Sequence, residues 1–219
     1  YILISYIPFF SLYLILINVK MVNSKLLKLL LAPALIIGCM LAFSQIMSKL
    51  DDQQGQYAAD GIAQSILAQN EAYENQAGKG GSMFSYGTEF DGSIGGLIKM
   101  APIFVGTTFF RPFIWESRKL TTLLSSLEGM TLLLFTLSVI YNAGFKTTFQ
   151  TLTKNPLAMY SFLFAIIFAL FVGATTLNFG TLCRYKIPCM PFYIIALFLI
   201  QDATANKKNL LKNKQVVGL

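Results

Sequence analysis

Apolar residues along this chain gather into long continuous runs instead of alternating with polar ones. The runs cover about 1–17, 26–43, 120–141, 157–177 and 189–201. A helix needs about 20 apolar residues to cross the hydrocarbon core of a bilayer. Backbone groups there must find their partners inside the segment. The pattern therefore predicts an all-α, polytopic membrane protein with five spans. The fifth run is short and reaches length by starting at Ile187 and Pro188 or by local thinning of the bilayer. A barrel would need alternation, which these runs do not show.

The segment between the second and third runs, 44–119, reads differently. Residues 45–77 are rich in Gln, Ala, Asn and acids, with apolar positions at Ile46, Leu50, Tyr57, Ile62, Ile66, Leu67 and Tyr73. That spacing is loosely helical and predicts one or two amphipathic helices outside the membrane. Gly78, Gly80 and Gly81 then break the chain, and 82–92 reads as an irregular aromatic loop. From 94 to 115 the chain is apolar again but interrupted by Gly95, Gly96, Lys99, Pro102, Gly106, Arg111 and Pro112. These interruptions predict an interfacial or re-entrant stretch rather than a regular span. Phe109, Phe110, Phe113 and Trp115 suit the headgroup level.

Composition sharpens the class. Only 12% of the 219 residues are charged and 55% are hydrophobic, where a soluble domain carries roughly 25% charged residues. The net charge of +7 points to topology rather than to nucleic acid, because lysine and arginine accumulate in cytoplasmic loops. Lys20 and Lys25, then Lys146 and Lys154, then Lys207, Lys208, Lys212 and Lys214 all fall on one side of a five-span chain. That side is expected to be cytoplasmic, with 202–219 as a basic tail. The segment 44–119 and the turn 178–188 are expected outside. The chain starts at Tyr1 within an apolar run, which suggests a piece of a longer protein.

Histidine is absent and the cysteines Cys39, Cys183 and Cys189 form no metal pattern. No metal or cofactor is expected, and no P-loop or nucleotide fold is visible. Cys183 and Cys189 would form a disulfide only if the short loop between them folds back.

Two basic clusters fall on the expected outer side. One holds Arg111, Arg118 and Lys119; the other holds Arg184 and Lys186. Guanidinium groups bind phosphate through parallel charge-assisted hydrogen bonds, so a lipid-linked phosphate is the ligand these clusters suggest. The plainer alternative is that they reach lipid phosphates or pair with Glu116. Glu128, about two turns into the third span, is costly in lipid unless paired or facing a wet cavity. It is a candidate base or proton carrier, a partner for Arg111 or Arg184, or one half of an ion pair locking two helices. Glu89, with Asp91 in the loop before the apolar stretch, is a second candidate base or else part of a solvated turn.

The stretches FFRPFIWESRKLTTLLSSLEG and NFGTLCRYKIPCMPF resemble the C-terminal part of polytopic bacterial inner-membrane proteins encoded with surface-polysaccharide assembly genes. The second also resembles the pattern Arg184, Tyr185, Pro188 and Pro191 near the end of GT-C glycosyltransferases that use polyprenyl-phosphate sugars. The resemblance covers about half the chain and implies phosphate contacts at Arg184 and Arg111. The family's signature acids would precede Tyr1. Three functions follow as expectations: an enzyme of lipid-linked glycan assembly, a non-catalytic subunit of an envelope complex contacting other membrane subunits through 45–77, or a transporter or flippase. Membrane lipid and a polyprenyl-phosphate-linked glycan are the expected partners.

Overall fold

The structure, a computed structural model, describes residues 13, 17, 59–75, 83–87, 90–91, 93–117 and 119–217. The first two expected spans, apart from Tyr13 and Ile17, lie outside the described residues, as do 44–58. Every regular element among the described residues is helical: α1 (Ala59–Glu74), α2 (Ile94–Phe110), a 3-10 turn (Ile114–Glu116), α3 (Leu120–Lys154), α4 (Pro156–Thr175), α5 (Phe179–Tyr185) and α6 (Met190–Val217).

Two of these, α3 and α4, are long and apolar enough to cross a membrane. The bent pair α5 and α6, whose axes meet at 62°, makes a third if it counts as one span. In α3, 35 residues would extend about 52 Å at 1.5 Å per residue, well beyond a hydrocarbon core of about 30 Å. Gly144, at φ 69°, breaks the helix. The rise from Leu120 to Tyr141 is about 32 Å, so the part before the break has the length of a span. The part after it contains Lys146 and Lys154, expected from sequence as a connecting loop. It is helical, and Asn155 alone joins it to α4 by accepting from the N–H groups of Leu157 and Ala158. The basic tail is helical too. Lys207 Nζ donates to Thr147 Oγ1 at 3.1 Å, which brings the two lysine-bearing segments to one end of the bundle.

α4 is the central helix. It is apolar on every side, as a helix with protein all round it must be. Ser161, Ala165, Ala169 and Gly173 recur every four residues and are all buried. This stripe of small side chains lets neighbouring backbone come close. A Cβ on Gly173 would lie 2.3 Å from the carbonyl oxygen of Phe104 in α2. One turn away, Thr108 Oγ1 donates to the carbonyl of Ala169 at 2.8 Å. α3 repeats the device at Gly129, where an added Cβ would lie 2.8 Å from the Phe110 carbonyl.

α2 forms most of the stretch 94–115, expected to be interfacial or re-entrant, as one helix that carries Pro102 inside it and ends before Arg111 and Pro112. Ser93 caps it by accepting from Gly96 N–H at 2.9 Å, and Gly95 and Gly96 fall in that first turn. Pro102 is on the exposed side. Phe104, Thr107, Thr108 and Phe109 are buried. Within the helix, Gly95, Lys99 and Pro102 avoid the packed face, while Arg111 and Pro112 follow its end. α1 is the amphipathic helix expected within 45–77, and it packs Ile66 among Met100, Phe104 and Ala174.

Gly173→Ala is expected to destabilise the fold by about 1–3 kcal/mol through overpacking. Gly106→Ala, which would meet nothing within 4 Å, should be neutral or stabilising by up to about 1 kcal/mol from helix propensity. Thermal unfolding in detergent separates the two, and equal effects would refute the close-approach account.

Candidate functional site

At the end of the bundle opposite Lys207, three segments converge: the loop 83–87, the turn after α2 and the helix α5. Phe84 N–H donates to the Leu177 carbonyl at 3.0 Å, and Met83 pairs with Asn178 in an isolated antiparallel bridge. Asn178 then caps α5 by accepting from Gly180 and Thr181. The Phe84 and Phe179 rings stack at 4.5 Å.

Arg111 lies against this pair, its guanidinium carbon 4.7 Å from the Phe84 ring centre and 5.3 Å from that of Phe179. Its Nε is 3.1 Å from both carboxylate oxygens of Glu116, and Nη2 also bonds Oε1. Glu116 in turn accepts from Phe113 N–H at 2.9 Å. The sequence RPFIWE thereby closes on itself, and the pairing with Glu116 raised as an alternative for Arg111 is present. Burial pushes the Glu116 carboxyl upward, but the hydrogen bonds from Arg111 and Phe113 and the Arg111 charge outweigh it and hold it below its ordinary value of 4.5. Burial likewise raises the Tyr86 phenol well above its usual range, against the opposing pull of Arg111. Tyr86 therefore remains a donor, to the Gly173 carbonyl at 2.6 Å.

The second basic cluster divides. Arg184 is exposed, with Nε donating to the Gly180 carbonyl one turn back at 3.0 Å, which leaves the outer edge of its guanidinium directed away from the helix. Lys186, the C-cap of α5, is 1% exposed. Its Nζ finds no hydrogen-bond partner among the described residues. It sits at the break between α5 and α6, where the Cys189 thiol donates to its carbonyl at 3.0 Å. Cys183 and Cys189 are both free thiols.

Around this end the surface is apolar and aromatic. Trp115 is 75% exposed and stacks on Phe113. Tyr185 and Ile187 are exposed beside Arg184. Tryptophan and tyrosine beside arginine are the residue types that settle at a membrane–water boundary.

The remaining expected residues fall elsewhere. Glu128 is exposed on α3 among Leu124, Leu127 and Leu134, and it makes no hydrogen bond or ion pair with any described residue. The carboxylate that Arg111 uses is Glu116. Glu89 and Arg118 lie outside the described residues. Asp91 accepts from Ser93 N–H and Oγ at 3.0 and 2.8 Å, a local turn that sets up the α2 cap. Phe84 and Phe179, which flank Arg111, were not singled out in the sequence. Nothing local distinguishes them from the other phenylalanines. Comparison of the chain with protein-family models, with curated proteins and with solved structures finds no match.

The lowered carboxyl of Glu116 makes a pH prediction. A depressed folded pKa contributes stability above the unfolded value of 4.5, and that stability is lost as pH falls through the lower folded value. Thermal stability of the wild type should therefore decline below about pH 4.5 more steeply than that of Glu116→Gln. Parallel declines would show that the Arg111–Glu116 pair is not a stabilising contact.

Proposed function

We propose that this chain is a multi-pass protein of a bacterial inner membrane that acts in lipid-linked glycan or surface-polysaccharide assembly. In this reading it holds the phosphate of a lipid-linked substrate at the Arg184–Lys186 end of the bundle. The observation that carries the reading is the buried, unpartnered amine of Lys186 at a break between two helices. A buried polar group left unsatisfied costs on the order of 1–3 kcal/mol, and more when charged. A chain that keeps such a group at a helix break has a use for it there, because broken helices in membranes serve as sites for charged ligands. The exposed edge of Arg184, two residues away, supplies a fork matched to phosphate. Trp115 and Tyr185, residue types that favour the headgroup level, support a site at that depth.

Arg111 enters the proposal as a support. Its Nε and Nη2 are engaged by Glu116, and it braces Phe179 beneath the ligand-facing residues. Lys186 and Arg184 would hold the phosphate and offset charge that builds on it when it leaves. The proposal is confined to binding and charge stabilisation, since Glu128 has no partner among the described residues and Glu89 lies outside them. In this reading the lysine-bearing end, with the C-terminus, faces the cytoplasm.

A second reading, a subunit of a larger membrane complex, rests on Glu128. An exposed carboxylate among leucines on a span is costly against lipid and suits a polar residue of another helix.

Two measurements test the first reading. Lys186→Met removes an unpaired buried amine and keeps its length, so the variant should unfold at a higher temperature while binding polyprenyl phosphate at least about tenfold more weakly in nanodiscs. Lower stability with unchanged binding would make Lys186 a packing residue. Cells carrying Arg184→Ala at normal membrane level should lose surface glycan or accumulate its lipid-linked precursor. A wild-type glycan profile would sink the glycan reading.

A further inference from the structure

A cavity of about 570 Å³ opens between α1, α2 and the residues Ser85, Tyr86, Gly87 and Phe90. We propose that it is a binding site for a neutral pyranose sugar, distinct from the cationic end. The loop 83–87 serves both places: Phe84 flanks Arg111, while Ser85, Tyr86 and Gly87 line the cavity.

The lining decides the ligand class. None of the described residues lining the cavity is basic, so an anion would find no countercharge among them. Asn70 lines the cavity with a side chain whose amide carries both a donor and an acceptor. Ser85 Oγ accepts from Gly87 N–H at 3.1 Å, which leaves its own hydroxyl hydrogen free to donate. Glu71, exposed at the rim, adds carboxylate acceptors. A ligand that donates and accepts at several closely spaced points matches this set, and a sugar's hydroxyls do both.

The apolar part of the wall fits the same ligand. Phe104 is buried, and the rings of Tyr86 and Phe90 meet it edge-on at 5.0 and 6.3 Å. Tyr86 is fixed in place by its bond to the Gly173 carbonyl. These rings give firm flat surfaces for the C–H face of a pyranose. The volume falls in the range of about 300–1,000 Å³ typical of small-molecule sites. An apolar ligand would leave the exposed Ser85 hydroxyl hydrogen without an acceptor. A quaternary ammonium would suit Glu71 and the aromatic rings, but it has no lone pair to accept from Ser85.

The test uses the full chain in nanodiscs and saturation-transfer NMR, with free glucose, galactose and N-acetylglucosamine as probes and choline as the cationic comparison. At least one sugar should receive saturation at its ring protons. Asn70→Leu and Phe90→Ala should each weaken binding about tenfold, with Ser85→Ala as a milder variant if either fails to fold. Asn142→Ala, on the exposed face of α3, should bind as wild type. Silence from all three sugars overturns the proposal, as does transfer that survives both Asn70→Leu and Phe90→Ala. Binding of choline in place of the sugars overturns it in favour of a cation site. The probes carry no phosphate, so failure here leaves the reading of Lys186 and Arg184 standing, and failure there leaves this one standing.

Discussion

The approach of α2 to α4 at Gly173 is the contact on which the rest of the described structure depends. Between apolar helices in a membrane, burial from water supplies little, because lipid tails are as apolar as leucine. Van der Waals contact and interhelical hydrogen bonds must hold the helices together. The stripe Ser161, Ala165, Ala169 and Gly173 lets the α2 backbone close on α4. The same closeness puts the Ala169 and Gly173 carbonyls within reach of Thr108 and Tyr86. Packing and hydrogen bonding thus share one surface, and a bulkier side chain there would weaken both.

From this seating the cationic end follows. α2 runs antiparallel to α4, with Phe104 beside Gly173 and Thr108 beside Ala169, and the side chain of Arg111, just after its last turn, reaches the Phe84–Phe179 stack. The two rings and Glu116 meet its needs, so this arginine resembles a rivet more than an open ligand site. Lys186 is the contrast: more deeply enclosed, but with no partner for its amine among the described residues. Two basic residues that look alike in sequence therefore carry opposite signs in the energetics. Pairing makes Arg111 stabilising, and isolation makes Lys186 a cost that binding an anion would offset.

The outer face of α3 presents a further tension. It shows leucines and aromatics to its surroundings from Leu120 to Phe149, as a span against lipid should. Yet Thr121, Glu128, Ser138 and Asn142 are exposed on it too. Thr131 and Asn142 satisfy themselves on carbonyls one turn back, a standard way for a helix in lipid to keep polar groups. Glu128 has no such recourse, since a carboxylate only accepts, and the carbonyls of its own helix only accept as well.

The sequence by itself determined the helical class, the lengths of the apolar runs and the clustering of arginine and lysine, because these depend on local composition and on the cost of exposing backbone in lipid. It also identified Glu116 as a possible partner for Arg111, five positions away and within reach of one tight turn. Tertiary structure alone decided that the glycine- and proline-interrupted stretch is a packed helix. The reason is that Pro102 falls on its exposed side and its aromatic residues on its buried one, a matter of which neighbour each face meets. It alone brought Phe84 to Phe179, and Tyr86 to Gly173, across separations in the chain that no periodicity records. It alone left Lys186 enclosed and Arg184 exposed two positions apart, because burial at a helix break depends on the direction the next helix takes.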